Sequence, residues 1–149
     1  MSDFVNKLQQ MLRGEVAAPP RPPIGETVGF SLSEVGEGRA VFVLTARMDR
    51  HANPMGTLHG GVLCDVADAA MGTAYATLLD AGESFTTLEL KINFLRPVWD
   101  ATLTATGRVV QRGKTVGLTE CDVTDEKGRL IARASSTCLT LRGEHAKDR

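Results

Sequence analysis

The sequence predicts an α+β domain: a mostly antiparallel sheet wrapped around one long central helix. Three observations predict it. The stretch Asn53 to Gly61, with Pro54 and three glycines, reads as a loop, and it runs straight into an apolar segment at helical spacing. That segment carries unusually small side chains, Ala67, Ala69, Ala70, Gly72, Ala74 and Ala76, so other backbone can come close to it. On both sides of it the periodicity switches to two: residues 27–47 before, and four strand segments between 84 and 141 after.

The elements follow in order. Phe4, Leu8, Met11 and Leu12 are spaced as one face of a short amphipathic helix over residues 4–13. Its two readings are packing against the domain edge and binding a partner. Gly14 ends it, and Ala17 to Pro23 is a stiff extended linker. Val28-Gly29-Phe30-Ser31-Leu32 alternates, Glu34 to Gly38 supplies a turn, and Arg39 to Thr45 is the second strand of a hairpin spanning 27–47. The central helix follows, with about five turns, and Gly82 in Asp80-Ala81-Gly82 can close it. The third strand runs from Ser84 to Val98, with Leu88, Leu90, Ile92 and Phe94 on one face and Glu89, Lys91 and Asn93 on the other. Thr102–Gln111, Val116–Thr124 and Arg129–Leu141 are the remaining strands, separated by the turns at 112–114 and 125–128. The division is therefore residues 1–26, a helix and proline-rich linker; 27–142, the sheet-and-helix domain; and 143–149, a polar, frayed tail.

Composition narrows the function. A formal net charge of −1 gives no footprint for nucleic acid or an anionic membrane. No apolar run reaches the roughly 18 residues of a membrane span, and Met1-Ser2-Asp3-Phe4 lacks the basic start and apolar core of a signal peptide. Cys64, Cys121 and Cys138 are odd in number without paired spacing, which suits free thiols in a reducing compartment. The expectation is a cytoplasmic protein.

Asn53, His59-Gly60-Gly61, Asp68, Thr86-Thr87-Leu88-Glu89 and Phe94-Leu95-Arg96-Pro97-Val98, in that order and spacing, resemble the hotdog-fold acyl-CoA thioesterases. The branch is the phenylacetyl-CoA and 4-hydroxybenzoyl-CoA thioesterase type. The resemblance covers about residues 27–141. It implies a sheet wrapped around a helix, two subunits joining their sheets into one, and active sites at that dimer interface, in a homodimer or a dimer of dimers. It implies an acyl-CoA substrate, aryl or medium-chain, and no metal or organic cofactor. Residue by residue, it makes Asp68 the catalytic carboxylate, as general base or nucleophile. Gly60 becomes the backbone donor to the thioester oxygen, and Asn53 an amide positioning water or substrate. Thr87 assists the carboxylate, and His59 orients the loop or thioester. Arg112 and Lys114, in the turn Gln111-Arg112-Gly113-Lys114, and then Arg96, are the cations for the CoA phosphates.

Elementary chemistry reaches part of this independently. Thioester hydrolysis needs an activated water or a nucleophile, and donors for the oxyanion. N–H groups at a helix start lack intrahelical partners and carry the positive end of its dipole, and glycine lets a carbonyl oxygen approach. Asp68 lies eight residues beyond Gly60, about 12 Å along a helix, too far for one thioester. Serving one reaction, the two must come from different chains.

Each residue also has a plain structural reading. Asp68 can be a solvated carboxylate, though no Lys or Arg stands near it in sequence. Asp65 rivals it or compensates the helix N-terminus. His59 can cap or pack, Thr87 can simply favour a strand, and Cys64 reads as core. His51 reads as part of an exposed loop, and His51, His59 and Asp65 have no recognised zinc spacing. The turn at 112–114 can be merely solvated, and Arg108, Arg129 and Arg133 are further cations. Three functions stand: an acyl-CoA thioesterase, a non-catalytic acyl-CoA binding module, and a hotdog acyl-thioester dehydratase using a His base.

Overall fold

The computed structural model describes residues 3–18 and 20–147. Met1, Ser2, Pro19 of the linker and the tail residues Asp148 and Arg149 lie outside the described residues. The elements run α1 (Asp3–Leu12), α2 (Pro23–Val28), β1 (Phe30–Gly36), β2 (Arg39–Ala46), α3 (Met48–His51), α4 (Gly60–Ala76), β3 (Ser84–Phe94), β4 (Ala101–Arg112), β5 (Val116–Thr124) and β6 (Leu130–Leu141), and a 3₁₀ turn closes the chain at Gly143–Ala146.

One six-stranded sheet holds all the strands in the order β1-β2-β4-β5-β6-β3, each neighbour antiparallel. The sheet wraps α4, whose Val66, Ala67, Ala70, Met71, Ala74 and Tyr75 are fully buried against it. The small side chains of this helix do what they were expected to do. At Gly107 of β4 a β-carbon would lie 2.4 Å from the backbone carbonyl of Ala70, so helix and strand touch backbone to backbone. At the far end the Tyr75 hydroxyl shares a 2.7 Å hydrogen bond with Thr140 Oγ1, which satisfies the polar tip of an otherwise apolar ring.

The two sheet edges differ. Along β1 lies α1, anchored by the fully buried Val5 and by Gln9 Nε2 donating to Val35 O at 2.9 Å. The outer edge of β3 has no strand beside it among the described residues. Its backbone groups point outward, and its Leu88 and Phe94 are exposed.

Several expected boundaries move, each for a local reason. The first strand starts at Phe30, not residue 27, because Pro23 opens a short helix at its first position and Gly29, at φ 89°, ends it. Strand β1 then runs to Gly36 across a bulge at Ser33, shrinking the expected turn at 34–38 to Glu37 and Gly38. The central helix stops at Ala76 rather than near Gly82. Thr77 Oγ1 donates to Ala74 O at 2.6 Å and accepts from the Gly38 N–H at 2.8 Å, tying the helix end to the β1–β2 turn. Strand β3 ends at Phe94, four residues early. The N–H groups of Leu95 and Arg96 both reach the Ile131 carbonyl, and Pro97 has none to give. A bulge between Thr87 and Glu89 also breaks the expected alternation: Leu90 and Ile92 pack on the core, while Leu88 and Phe94 do not. The tail, expected to fray, forms the 3₁₀ turn.

Candidate functional site

The site begins with a loop that builds itself. Asn53 Oδ1 accepts the N–H groups of Met55 (2.9 Å) and Thr57 (3.1 Å), and its Nδ2 donates to Thr57 Oγ1 at 2.9 Å. The Asn53 N–H donates to Thr57 O at 2.7 Å, and Gly56 turns the chain at φ 80°. The closed loop is then pinned: Leu58 N–H to Val98 O, and His59 N–H to His51 O, both 2.8 Å. These bonds fix where α4 starts.

His59 is the N-cap of α4, its Nδ1 accepting the Gly61 N–H at 2.9 Å. The Gly61 N–H at the helix start is thus occupied. The Gly60 N–H has no partner among the described residues and stands at the positive end of a 17-residue helix. Both glycines have a steric reason. A β-carbon at Gly61 would come within 3.0 Å of the His59 ring, and one at Gly60 within 2.7 Å of Phe94 Cζ. Gly60, Asn53, Thr57, Phe94 and Arg96 border one pocket of about 370 Å³.

Asp68 does not enter that pocket. Its Oδ1 accepts the Thr87 hydroxyl at 3.2 Å, across from the bulge at Leu88 in β3. Together with Asp65, one turn earlier on the same face of α4, it borders a separate groove of about 700 Å³. The Asp65 carboxyl is pushed up from its ordinary value, first by burial and then by the charge of Asp68. The chain therefore brings together Gly60 with Asn53, and Asp68 with Thr87, but keeps the two pairs apart.

The cations sort themselves by partner. Arg112 turns inward onto Glu83, whose other oxygen binds Arg142 at 2.5 Å, and the Glu83 side chain is only 9% exposed. Arg108 pairs with Glu120 and Asp122, Arg133 with Asp122, and Arg129 with Asp125. Arg96, on the Gly60 pocket, and Lys114, exposed in the turn, have no ion pair among the described residues.

Two sequence expectations are corrected here. His51 is not in an exposed loop: it is 6% exposed, and its Nδ1 accepts the Arg47 N–H at 3.0 Å. Cys64 is half-buried rather than core, with its thiol pushed up by burial and by Asp65. Burial holds the Cys121 thiol at about 12, which leaves it inert.

Sequence reasoning missed two features of the site. In sequence Phe94 belongs to a motif and to an alternating face, and nothing local says that its ring covers Gly60. The apolar face of α1 was visible, but not that it walls the groove containing Asp68.

Comparison with known proteins agrees with the fold. A family model described as the thioesterase superfamily matches residues 55–132. The 1,4-dihydroxy-2-naphthoyl-CoA hydrolase of Listeria monocytogenes is 31% identical over 112 residues, which is 75% of this chain and 90% of that protein. Among solved structures, a thioesterase of Haemophilus influenzae superposes with a TM-score of 0.80 at 22% identity, covering 97% of this chain and 96% of that one. The PaaI protein of the Escherichia coli phenylacetic acid degradation operon superposes at 0.79 and 24%, covering 95% and 98%. At those identities the two structures speak for the fold.

Proposed function

The chain belongs to the thioesterase superfamily, and within it we propose that the protein hydrolyses an aryl or medium-chain acyl-CoA to the free acid and CoA, in active sites shared by two subunits. In this reading the substrate carbonyl oxygen binds the Gly60 N–H of one subunit. Asp68 of the other acts on the carbonyl carbon, as a general base on water or as nucleophile, with the Thr87 hydroxyl holding its orientation. Collapse of the tetrahedral intermediate expels the CoA thiolate; with water as attacking group this gives the free acid directly, and with Asp68 as nucleophile it leaves an acyl–Asp68 anhydride that water then hydrolyses. Asn53 keeps the loop closed and has one Nδ2 hydrogen left for substrate or water.

The single observation that carries the reading is the separation of a free helix-start N–H from a hydroxyl-bound carboxylate on one helix. Eight residues of helix put about 12 Å between them. A second chain is the economical way to bring a carboxylate to the donor. The open β3 edge supports such pairing, because an uncovered edge strand is a template for another strand. For the CoA phosphates the unpaired Arg96 and Lys114 suit better than Arg112, which holds Glu83. His59 acts as the helix cap rather than as a base. Among the described residues no helix is long and apolar enough to cross a membrane. Three cysteines without paired spacing support a reducing compartment, the cytoplasm, in this reading.

The test is turnover of purified Asp68→Asn and Asp65→Asn proteins on an acyl-CoA panel. Asp68→Asn should cost about 10²–10⁴-fold in kcat, with Asp65→Asn far milder. The opposite ranking would transfer the role to Asp65.

A further inference from the structure

The groove beside Asp68 has walls that thioester chemistry does not need. One side is the apolar face of α1, with Phe4, Leu8, Met11 and Leu12; the other is Phe42 of β2 and Ala69 of α4. All four α1 residues lie outside the span matched by the family model, residues 55–132. We propose that this groove is the acyl subsite, that it takes an extended, uncharged acyl chain, and that the face of α1 sets the chain length. The inference rests on Asp68 being the hydrolytic carboxylate.

Continuity argues for it first. The acyl carbon must come to the Asp68 carboxylate, so the group attached to that carbon meets whatever lines the space around Asp68. That lining is the apolar groove.

Exposure argues next. Phe4 is 46% exposed, Leu12 41% and Ile24 52%, all on this one groove. A gathering of apolar side chains around a concavity marks a binding site more often than chance surface does.

Size selects among acyl groups. About 700 Å³ lies well inside the range of small-molecule pockets. From Phe4 to Leu12 the face of α1 runs about 12 Å. A compact ring would leave much of that length without contact, whereas a flexible chain can lie along it.

Charge selects as well. Asp65 and Asp68 at the groove disfavour an acyl group ending in a second carboxylate; among the described residues Arg21 is the one basic residue on its lining. Finally, the wall is fixed rather than trailing, since Val5 is fully buried and Gln9 is bonded to Val35. The hydrolytic parts and the chain-length wall thus sit on different segments of the sequence, and each can change without the other.

The experiment compares kcat/KM for straight-chain acyl-CoAs from butyryl to dodecanoyl in the full-length wild type, Leu12→Glu and Leu8→Trp. In the wild type, kcat/KM should climb about two- to fourfold per added methylene until the groove is filled. Leu12→Glu places a carboxylate against the chain and should lower the decanoyl-to-butyryl ratio by about tenfold or more. Leu8→Trp should move the preferred chain to a shorter one. Should Leu8→Trp fail to fold, Leu12→Glu, at an exposed rim position, still decides the matter. A flat profile in an active wild type, or variants that scale all chain lengths equally, would overturn the inference and leave the hydrolase reading standing. So would an unchanged profile in Leu12→Glu accompanied by a changed oligomeric mass, which would make a second copy the occupant. A wild type inactive on every acyl-CoA would overturn both.

Discussion

The strongest test of the two-subunit site is complementation between two inactive proteins. Asp68→Asn removes the carboxylate proposed to act on the thioester and should cost about 10²–10⁴-fold. Gly60→Val attacks the other half. A β-carbon there falls 2.7 Å from Phe94 Cζ, so valine must displace that ring. The ring is on a half-exposed side chain and can swing, which leaves the fold intact but fills the space above the Gly60 N–H. Losing an oxyanion donor costs on the order of 10²–10³-fold, so both parent proteins should be nearly dead. Gly60 and Asp68 stand about 12 Å apart along α4, so under the proposed reading each site of a dimer takes one of them from each chain. A mixed dimer then has one site carrying both defects and one carrying neither. Random re-pairing makes about half the dimers mixed, so total activity should return to roughly a quarter of wild type, and purified mixed dimers to roughly half. The assay is thiol release from acyl-CoA, on differently tagged subunits mixed, exchanged and isolated. Isolated mixed dimers that stay as inactive as their parents would refute the reasoning and put donor and carboxylate in one chain.

The other predictions concern the frame and the charges. Gly107→Ala should force β4 off α4, since its methyl would meet the Ala70 carbonyl at 2.4 Å; the loss is about 3 kcal/mol, or roughly 10 °C in Tm, and a melt within 2 °C of wild type, about a fifth of that shift, would deny the close approach. Arg96→Ala combined with Lys114→Ala should raise KM for acyl-CoA at low salt while sparing kcat, because contacts remote from the thioester give uniform binding, and the effect should fade as salt rises; an unchanged low-salt KM would remove both from the CoA site. Glu83, held below the usual carboxylate range chiefly by the Asp80 N–H and also by Arg142 and Arg112, stabilises the fold above its unfolded value, and that contribution is lost as pH falls through its lowered folded value. Urea melts of Glu83→Gln should therefore show about 1–3 kcal/mol lost at neutral pH and a smaller difference in acid; a difference constant with pH would mean that the Glu83 carboxyl is not held below its ordinary value.

The sequence by itself determined the class of fold and the parts of the site that are local. Period-two alternation on either side of a small-residue helix needs only short-range regularity, so the order of strands and helix was legible from the residues alone. The same holds for the helix start. Asn53, Pro54, Gly56 and His59-Gly60-Gly61 act on neighbours within a few residues, through turn and cap hydrogen bonds that their types and spacing announce. The tertiary structure alone decided what depends on partners far away in the chain. Thr77 ends the helix because Gly38 comes to its hydroxyl, while Gly82 had the better local claim. Leu88 leaves its face because β3 must bulge against β6. Arg112 turns inward because Glu83 waits at the neighbouring loop, and His51 is buried because the loop after it folds back. The face of α1 could be read as apolar from its spacing, but that it borders the groove of Asp68 follows only from the docking of α1 along β1. Burial and side-chain pairing are properties of contacts closed across tens of residues, and local pattern carries no record of them.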